Sequence, residues 1–278
     1  MEIVAADPAK NITLFVLDDP GDREGRAETA RRLLADPRFR AEQAGFVLPP
    51  GSGKTGRRLW RLEMMGGEFC GNAARSFGLF VARETGLRGR VPVTIEISGL
   101  DTPVSVAVDT EAGTAEVEIP KPAAIDRINA GAGGMEVRDV PLIIFDGIVH
   151  AIVPDTEPGE TAFRRIQAAV EKRCRDLAGP GKEGRPAATG VMFFDTARRF
   201  MTPAVYVAAT DSLVFESSCG SGTAALAVWE TRSFGSGEHR LEVKQPGGVI
   251  EARVCRQNGG IRGVFIGGPV TLSGKIPV

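Results

Sequence analysis

The chain has 278 residues, 42% hydrophobic and 25% charged, which is enough to bury a sizeable core and at this length favours two compact lobes over one. Its 34 Lys and Arg against 35 Asp and Glu leave a net charge of -1, with no run of like charge long enough to form a nucleic-acid or membrane patch. The N-terminal MEIVAADPAKNITLFVLDD carries acids where an export signal carries lysines. Its apolar run from Ile12 to Leu17 is too short to span a membrane, and the expectation is a cytoplasmic protein with no nucleic-acid or membrane partner.

The first elements in chain order are a strand over Ile12 to Leu17 and a charged helix over Asp22 to Ala35, with Ala27, Ala30, Leu33 and Leu34 at helical spacing. Strands over Ala44 to Leu48 and Arg58 to Met64 follow, joined by the turn-rich PPGSGKTGR. The GSGKT within that joint resembles the end of a phosphate-binding loop. That pattern, however, needs glycine where Leu48 stands and a strong helix after Thr55, so the segment reads as a hairpin loop. After Cys70 comes GNAARSFGLFVARETG, a helix apolar enough to be central, with Gly86 as its stop. Strands over Val93 to Ser98, Val104 to Val108 and Ala115 to Ile119 lead to the proline-rich IPKPAAIDRI, where a domain boundary is expected.

The second half repeats the plan. Strands near Leu142 to Phe145 and Val149 to Val153 precede a charged helix over Glu160 to Leu177 and the loop AGPGKEGRPAATG. Strands over Val191 to Asp195 and Pro203 to Ala208 then lead to a second glycine-flanked cysteine and a small-residue helix from Gly220 to Arg232. The tail VFIGGPVTLSGKI reads as one more strand. Expected domains are therefore residues 1–122 carrying Cys70, closed by residues 264–278, and residues 123–263 carrying Cys219.

The four cysteines, at 70, 174, 219 and 255, form no CxxC pair, and the only histidines are His150 and His239, so neither a metal site nor a disulfide framework is expected. Cys174 in a charged helix and Cys255 in VCR read as ordinary packing residues. Cys70 and Cys219 differ because EFCGNAARSFGLFVARETG and SSCGSGTAALAVWETR match as an internal repeat. Each thiol would open an apolar helix, beside unpaired N–H groups and the positive end of the dipole, which lowers a thiol pKa from about 8.5 toward neutrality. The same N–H groups can hold a carboxylate. An amino acid held between two such helix ends would present one face of its α-carbon to each sulfur. One thiolate would remove the α-proton and the opposite thiol would return one, without pyridoxal phosphate or any other cofactor. No lysine occupies a convincing cofactor-binding context.

With CGN at 70–72 and CGSGTA at 219–224, the sequence resembles the diaminopimelate epimerase superfamily almost end to end. Asn11 before the first strand, Glu42-Gln43, His150, Gln245-Pro-Gly-Gly and Gly268-Pro269 add to the likeness. The resemblance implies a mixed α/β fold (α+β) of two pseudo-symmetric lobes, each a β-sheet or barrel wrapped around a central helix, with Cys70 and Cys219 as acid and base. It also allows a homodimer.

Diaminopimelate epimerase itself carries a Glu-Arg pair before the second cysteine, whereas SLVFESSCGSG has no arginine, which removes a bidentate partner for a distal carboxylate. The chain is more similar to the histidine racemases of opine-type metallophore pathways, which carry EQxGF, EFCGNA and ENSCGSGTA. Their likeness implies that Glu42, Gln43, Gly71, Asn72, Glu216, Gly220 and Ser221, with Asn11 and His150, contact a small amino-acid substrate. Read from residue type alone, Glu42 is equally a surface charge, Asn11 and Asn72 turn residues, and His150 a satisfied core histidine. Arg75 resembles the epimerase more than the histidine racemases and keeps diaminopimelate open as a substrate. A phenazine-pathway-like isomerase, which would lack the cysteine pair, and an amino-acid-binding module are the remaining alternatives.

Overall fold

A computed structural model describes residues 1–51, 53, 56–132, 135–179 and 184–278. Ser52, Lys54 and Thr55 of the GSGKT segment lie outside the described residues, as do positions 180–183 of the second loop. The chain divides into two compact units, Met1–Glu118 with Phe265–Val278, and Ile119–Val264.

In the first unit β1 (Glu2–Asp7) pairs antiparallel with β2 (Thr13–Val16). Helix α1 (Arg23–Leu34) then crosses over to β3 (Gln43–Leu48), parallel to β2. Asp22 starts α1 by accepting the Gly25 N–H, and Ala30 and Leu33 turn inward onto Ile3, Leu14, Val16 and Phe46. Strand β4 (Arg61–Met64) returns antiparallel to β3. A second crossover, α2 (Gly71–Glu84), leads to β5 (Arg90–Ile97), parallel to β4, and β6 (Val104–Asp109) and β7 (Thr114–Ile119) follow as an antiparallel meander.

The C-terminal tail closes this sheet. Thr114 bridges Pro269 and the Val270 N–H reaches the Gly113 carbonyl at 2.9 Å, after which β17 (Thr271–Leu272) and β18 (Ile276–Pro277) pair with β1. Helix α2 packs against β5, β6 and β1, and every residue from Gly71 to Ala82 is buried. Phe77 and Phe80 stack at 5.7 Å and both meet the edge of Phe15, and each fully buried ring contributes roughly 1.5–3 kcal/mol. Gly78 is required by packing, since a Cβ there would stand 2.6 Å from Val106.

The second unit repeats this order of crossovers. A hairpin of β8 (Ala124–Ala132) and β9 (Met135–Ile144) precedes β10 (Ile148–Pro154). Helix α3 (Glu160–Ala178) crosses over to β11 (Ala188–Asp195), parallel to β10, and buries Phe163, Ile166 and Val170 in the unit's core. Strands β12 (Phe200–Val207) and β13 (Ser212–Phe215) continue antiparallel. Helix α4 (Gly220–Glu230) leads to β14 (Gly237–Gln245), parallel to β12, then β15 (Gly248–Gln257) and β16 (Gly260–Gly267).

The expected helices and most expected strands form where the periodicity places them, and the mixed α/β class holds. Three features differ. β1 precedes the first expected strand, β8 begins inside the proline-rich segment at whose start the two units divide, and β14 and β15 form a long hairpin absent from the expected strands. In β14, Arg240, Glu242 and Lys244 point outward while Val243 and Gln245 point in, so the strand period is present beneath a charged surface. Among the described residues no helix is long and apolar enough to cross a membrane, and no group of three or more His, Cys, Asp or Glu could hold a metal ion.

Candidate active site

Each unit places its cysteine at the N-cap of its buried crossover helix, and the two caps have nearly the same conformation. Cys70 has φ -122° and ψ 116° and Cys219 has φ -127° and ψ 116°. Extended backbone at this position turns the side chain back over the first helical turn, as an N-cap hydroxyl does. The Ala73 N–H donates to Cys70 Sγ at 3.5 Å, and the Gly222 N–H donates to Cys219 Sγ at 3.3 Å. Gly71 and Asn72 in α2, and Gly220 and Ser221 in α4, supply the preceding amides, which no carbonyl of their own helix can reach. Amides in this position are donors of the kind that bind anions.

In the first unit, the loop entering Cys70 is fixed from below. Ser98 Oγ donates to the Glu68 carbonyl at 2.8 Å, and Gly99, at φ 77°, has no room for a Cβ because the Phe69 nitrogen would lie 2.2 Å away. Beside Cys70, Asn72 Nδ2 donates to Asn11 Oδ1 at 3.1 Å and Asn11 Nδ2 donates to Glu42 Oε2 at 2.6 Å. Asn11 and Asn72 are buried, which makes them structured network members and not turn residues. Gln43 sits opposite Thr13 in the parallel pair, and its buried Oε1 has no hydrogen-bond partner among the described residues. A buried acceptor left in this state costs about 1–3 kcal/mol unless something donates to it.

In the second unit, Cys219 is held through its backbone. Its N–H donates to Gln245 Oε1 at 2.8 Å, Gln245 Nε2 donates to Thr223 Oγ1 at 2.9 Å, and Thr223 Oγ1 donates to the Cys219 carbonyl at 2.7 Å. In the sequence Gln245 is only a family marker, and nothing there sets Thr223 apart. A glutamine ending a strand before Pro-Gly-Gly carries no local signal of a partner twenty-six positions earlier. Ser221 Oγ lies 3.5 Å from Cys219 Sγ and 2.9 Å from His150 Nε2. His150 is fully buried, which depresses its pKa to about 3 and keeps the imidazole neutral. The structure therefore sets it behind Ser221.

The electrostatics of Cys219 correct one expectation. Burial pushes its thiol well above the ordinary cysteine range, and the charge and hydrogen bond of Glu216 push it further. The Ser221 hydroxyl and Gly222 N–H act in the opposite direction and are outweighed. A helix end offers partial charges, whereas the 6% exposure of Cys219 removes nearly all the water that would solvate a thiolate. Glu216, expected as a substrate contact, also interacts with the Cys219 thiol. Cys174 and Cys255 are also held above the ordinary range, chiefly by burial, so neither is an activated nucleophile.

The model of the N-terminal domain of the histidine racemase CntK matches residues 1–276. A histidine racemase of Fusobacterium nucleatum subsp. nucleatum is 29% identical over 99% of this chain and 97% of its own length. One of Staphylococcus aureus is 28% identical over 93% of this chain and 91% of its own. Among solved structures, a hydroxyproline epimerase from Agrobacterium vitis superimposes with a TM-score of 0.64 over 99% of this chain and 91% of that one, at 14% identity. That likeness speaks to the fold alone.

Proposed function

The chain belongs to the histidine racemase CntK family, and from that membership we infer that it interconverts L- and D-histidine by a two-base proton transfer that requires no cofactor. The observation that carries this reading is the matched pair of N-caps: two cysteines, one on each repeat of the same crossover helix, each with its sulfur accepting an N–H of the first helical turn.

The difficult step is removal of a weakly acidic α-proton. The helix-end amides of Gly71, Asn72, Gly220 and Ser221 would bind the substrate carboxylate and stabilise charge as it develops there. Cys70 and Cys219 would take opposite faces of the α-carbon. Because burial and Glu216 favour the protonated form of Cys219, it starts as the acid, and Cys70 starts as the base. The Cys70 sulfur gains the α-proton as the Cys219 S–H delivers its own to the other face. The enzyme is left with the two protonation states exchanged, ready for the opposite enantiomer or for a proton from water. Asn11, Glu42 and Gln43 would contact the amino and imidazole groups, which carry the donors that a carboxylate and an amide oxygen can accept.

The test is the purified protein under reducing conditions, without added cofactor, offered L-histidine, the other standard L-amino acids and LL-diaminopimelate in D2O. D-histidine by chiral chromatography, with deuterium at the α-carbon, is expected. Deuterium entering only another amino acid would replace the substrate and keep the chemistry. No exchange into any of them would end the racemase mechanism.

A further inference from the structure

Arg75 lies in α2 close to Cys70 and is completely buried. Its Nη1 donates to the carbonyls of Gly268 at 3.0 Å and Pro269 at 3.2 Å, where the closing tail crosses, and its Nε donates to Asn72 Oδ1 at 3.2 Å. From Asn72 the chain of hydrogen bonds continues through Asn11 to Glu42. Its direction is fixed at both ends. A guanidinium has only donors and a carboxylate only acceptors. Each amide between them must therefore turn its oxygen toward Arg75 and its NH2 toward Glu42. Flipping either one sets donor against donor or acceptor against acceptor, so the two amide dipoles stay aligned between a positive and a negative end.

We propose that Arg75 is a positioning residue for substrate recognition, which acts through Asn72 and Asn11 to hold the Glu42 carboxylate in one orientation. The proposal rests on the reading that Glu42 meets the substrate. It gives Glu42 a single chemical role, acceptance of hydrogen bonds from an ammonium or ring N–H, and ties that role to the frame formed by α2 and the closing tail. The Nε and Nη1 donations go to groups of the protein. Lysine is not equivalent here: a point charge on a flexible stem cannot hold an amide oxygen and two carbonyls in the fixed plane of a guanidinium.

The experiment is a double-mutant cycle of Arg75→Lys and Glu42→Gln, reading KM and kcat for L-histidine, with thermal melts showing that each variant is folded. Glu42→Gln keeps an acceptor for Asn11 and loses the charge. Arg75→Lys alone should raise KM about tenfold, the worth of one hydrogen bond to a charged group, while kcat changes by less than about twofold. In the Glu42→Gln background the same change should move KM by less than about twofold. An equal rise in both backgrounds, or a lowered melting temperature with KM unchanged, overturns the proposal. Should Arg75→Lys fail to fold, Asn72→Ala breaks the chain beside the guanidinium, keeps the backbone amide of Asn72 and leaves Asn11, Glu42 and the tail contacts in place. It should raise KM similarly, and an unchanged KM overturns the proposal. If Glu42→Gln alone leaves KM unchanged, Glu42 does not meet the substrate, and the reading falls together with the proposal. If that variant raises KM and the cycle shows no coupling, only the role of Arg75 falls.

Discussion

Ser221 Oγ stands 2.9 Å from His150 Nε2, joining the first turn of α4 to strand β10 across 71 positions of sequence. The other ring nitrogen, Nδ1, is buried without a hydrogen-bond partner among the described residues and faces Gly190, where a Cβ would come within 2.1 Å. A buried bare lone pair is cheaper to leave unmet than a buried N–H, so the proton belongs on Nε2. His150 then donates to Ser221, and the Ser221 hydroxyl is left to donate to Cys219 Sγ at 3.5 Å. This donor favours the thiolate that burial opposes.

Ser221→Ala tests that donor directly, because it removes the hydroxyl and keeps the backbone N–H available for a carboxylate. The expected result is a fall in kcat of about tenfold with KM nearly constant, since roughly 1.4 kcal/mol of stabilisation is lost only as charge forms on sulfur. Unchanged kcat in steady-state racemisation assays would remove Ser221 from the proton-transfer machinery.

The acid limb of stability carries a signature of His150. In the unfolded chain the imidazole titrates near 6.5, and in the folded protein near 3. Between these values the unfolded state binds more protons. Stability present above pH 6.5 is therefore lost as pH falls toward 3, by up to about 1.4 kcal/mol per pH unit for this one group. Urea unfolding from pH 7 to 4.5 should show a shallower dependence in His150→Gln than in the parent. Parallel slopes would mean that His150 is accessible to protons in the native state.

The cysteines should separate cleanly. Cys70→Ser and Cys219→Ser are each expected to lower racemisation by at least about a thousandfold, because a serine hydroxyl is a far weaker base than a thiolate, while Cys174→Ser retains near-parental rates. Iodoacetamide mapping adds a pH readout. With its thiol held well above the ordinary range, Cys219 should alkylate slowly at pH 7.5 and speed up only as the solution becomes strongly alkaline. Rapid labelling of Cys219 at neutral pH would contradict its place as the resting acid.

Gln245→Leu leaves the Cys219 N–H without its acceptor and the Thr223 hydroxyl without the donor it accepts from. A cost of about 2–4 kcal/mol in chemical denaturation is expected, together with reduced kcat, because the N-cap that aims the sulfur loses its anchor. Gln245→Glu should recover the acceptor for Cys219 but not the donor for Thr223, and lie between the two. Equal stability of all three proteins would show that the cap is set by α4 alone.

The repeat, the two cysteines and the helices they open are legible in the chain alone. These are local matters: a glycine after the cysteine, small residues at helical spacing, and an apolar run too long to be anything but a buried helix. The mixed α/β class is legible there too, because strands and crossover helices alternate with their own periods. Tertiary structure alone decided what the marked residues touch. Arg75 reads in the sequence only as a likeness to the epimerase, and in the structure its Nη1 donates to the Gly268 and Pro269 carbonyls, which reach it only after the tail returns. His150 looked like either a cleft or a core residue and lies behind Ser221. Gln245 was a motif without a task until β14 brought it to the Cys219 N–H. A helix end lowers the pKa of an exposed thiol, but at Cys219 burial outweighs it, and burial depends on everything packed around the sulfur, which pattern in the chain does not carry.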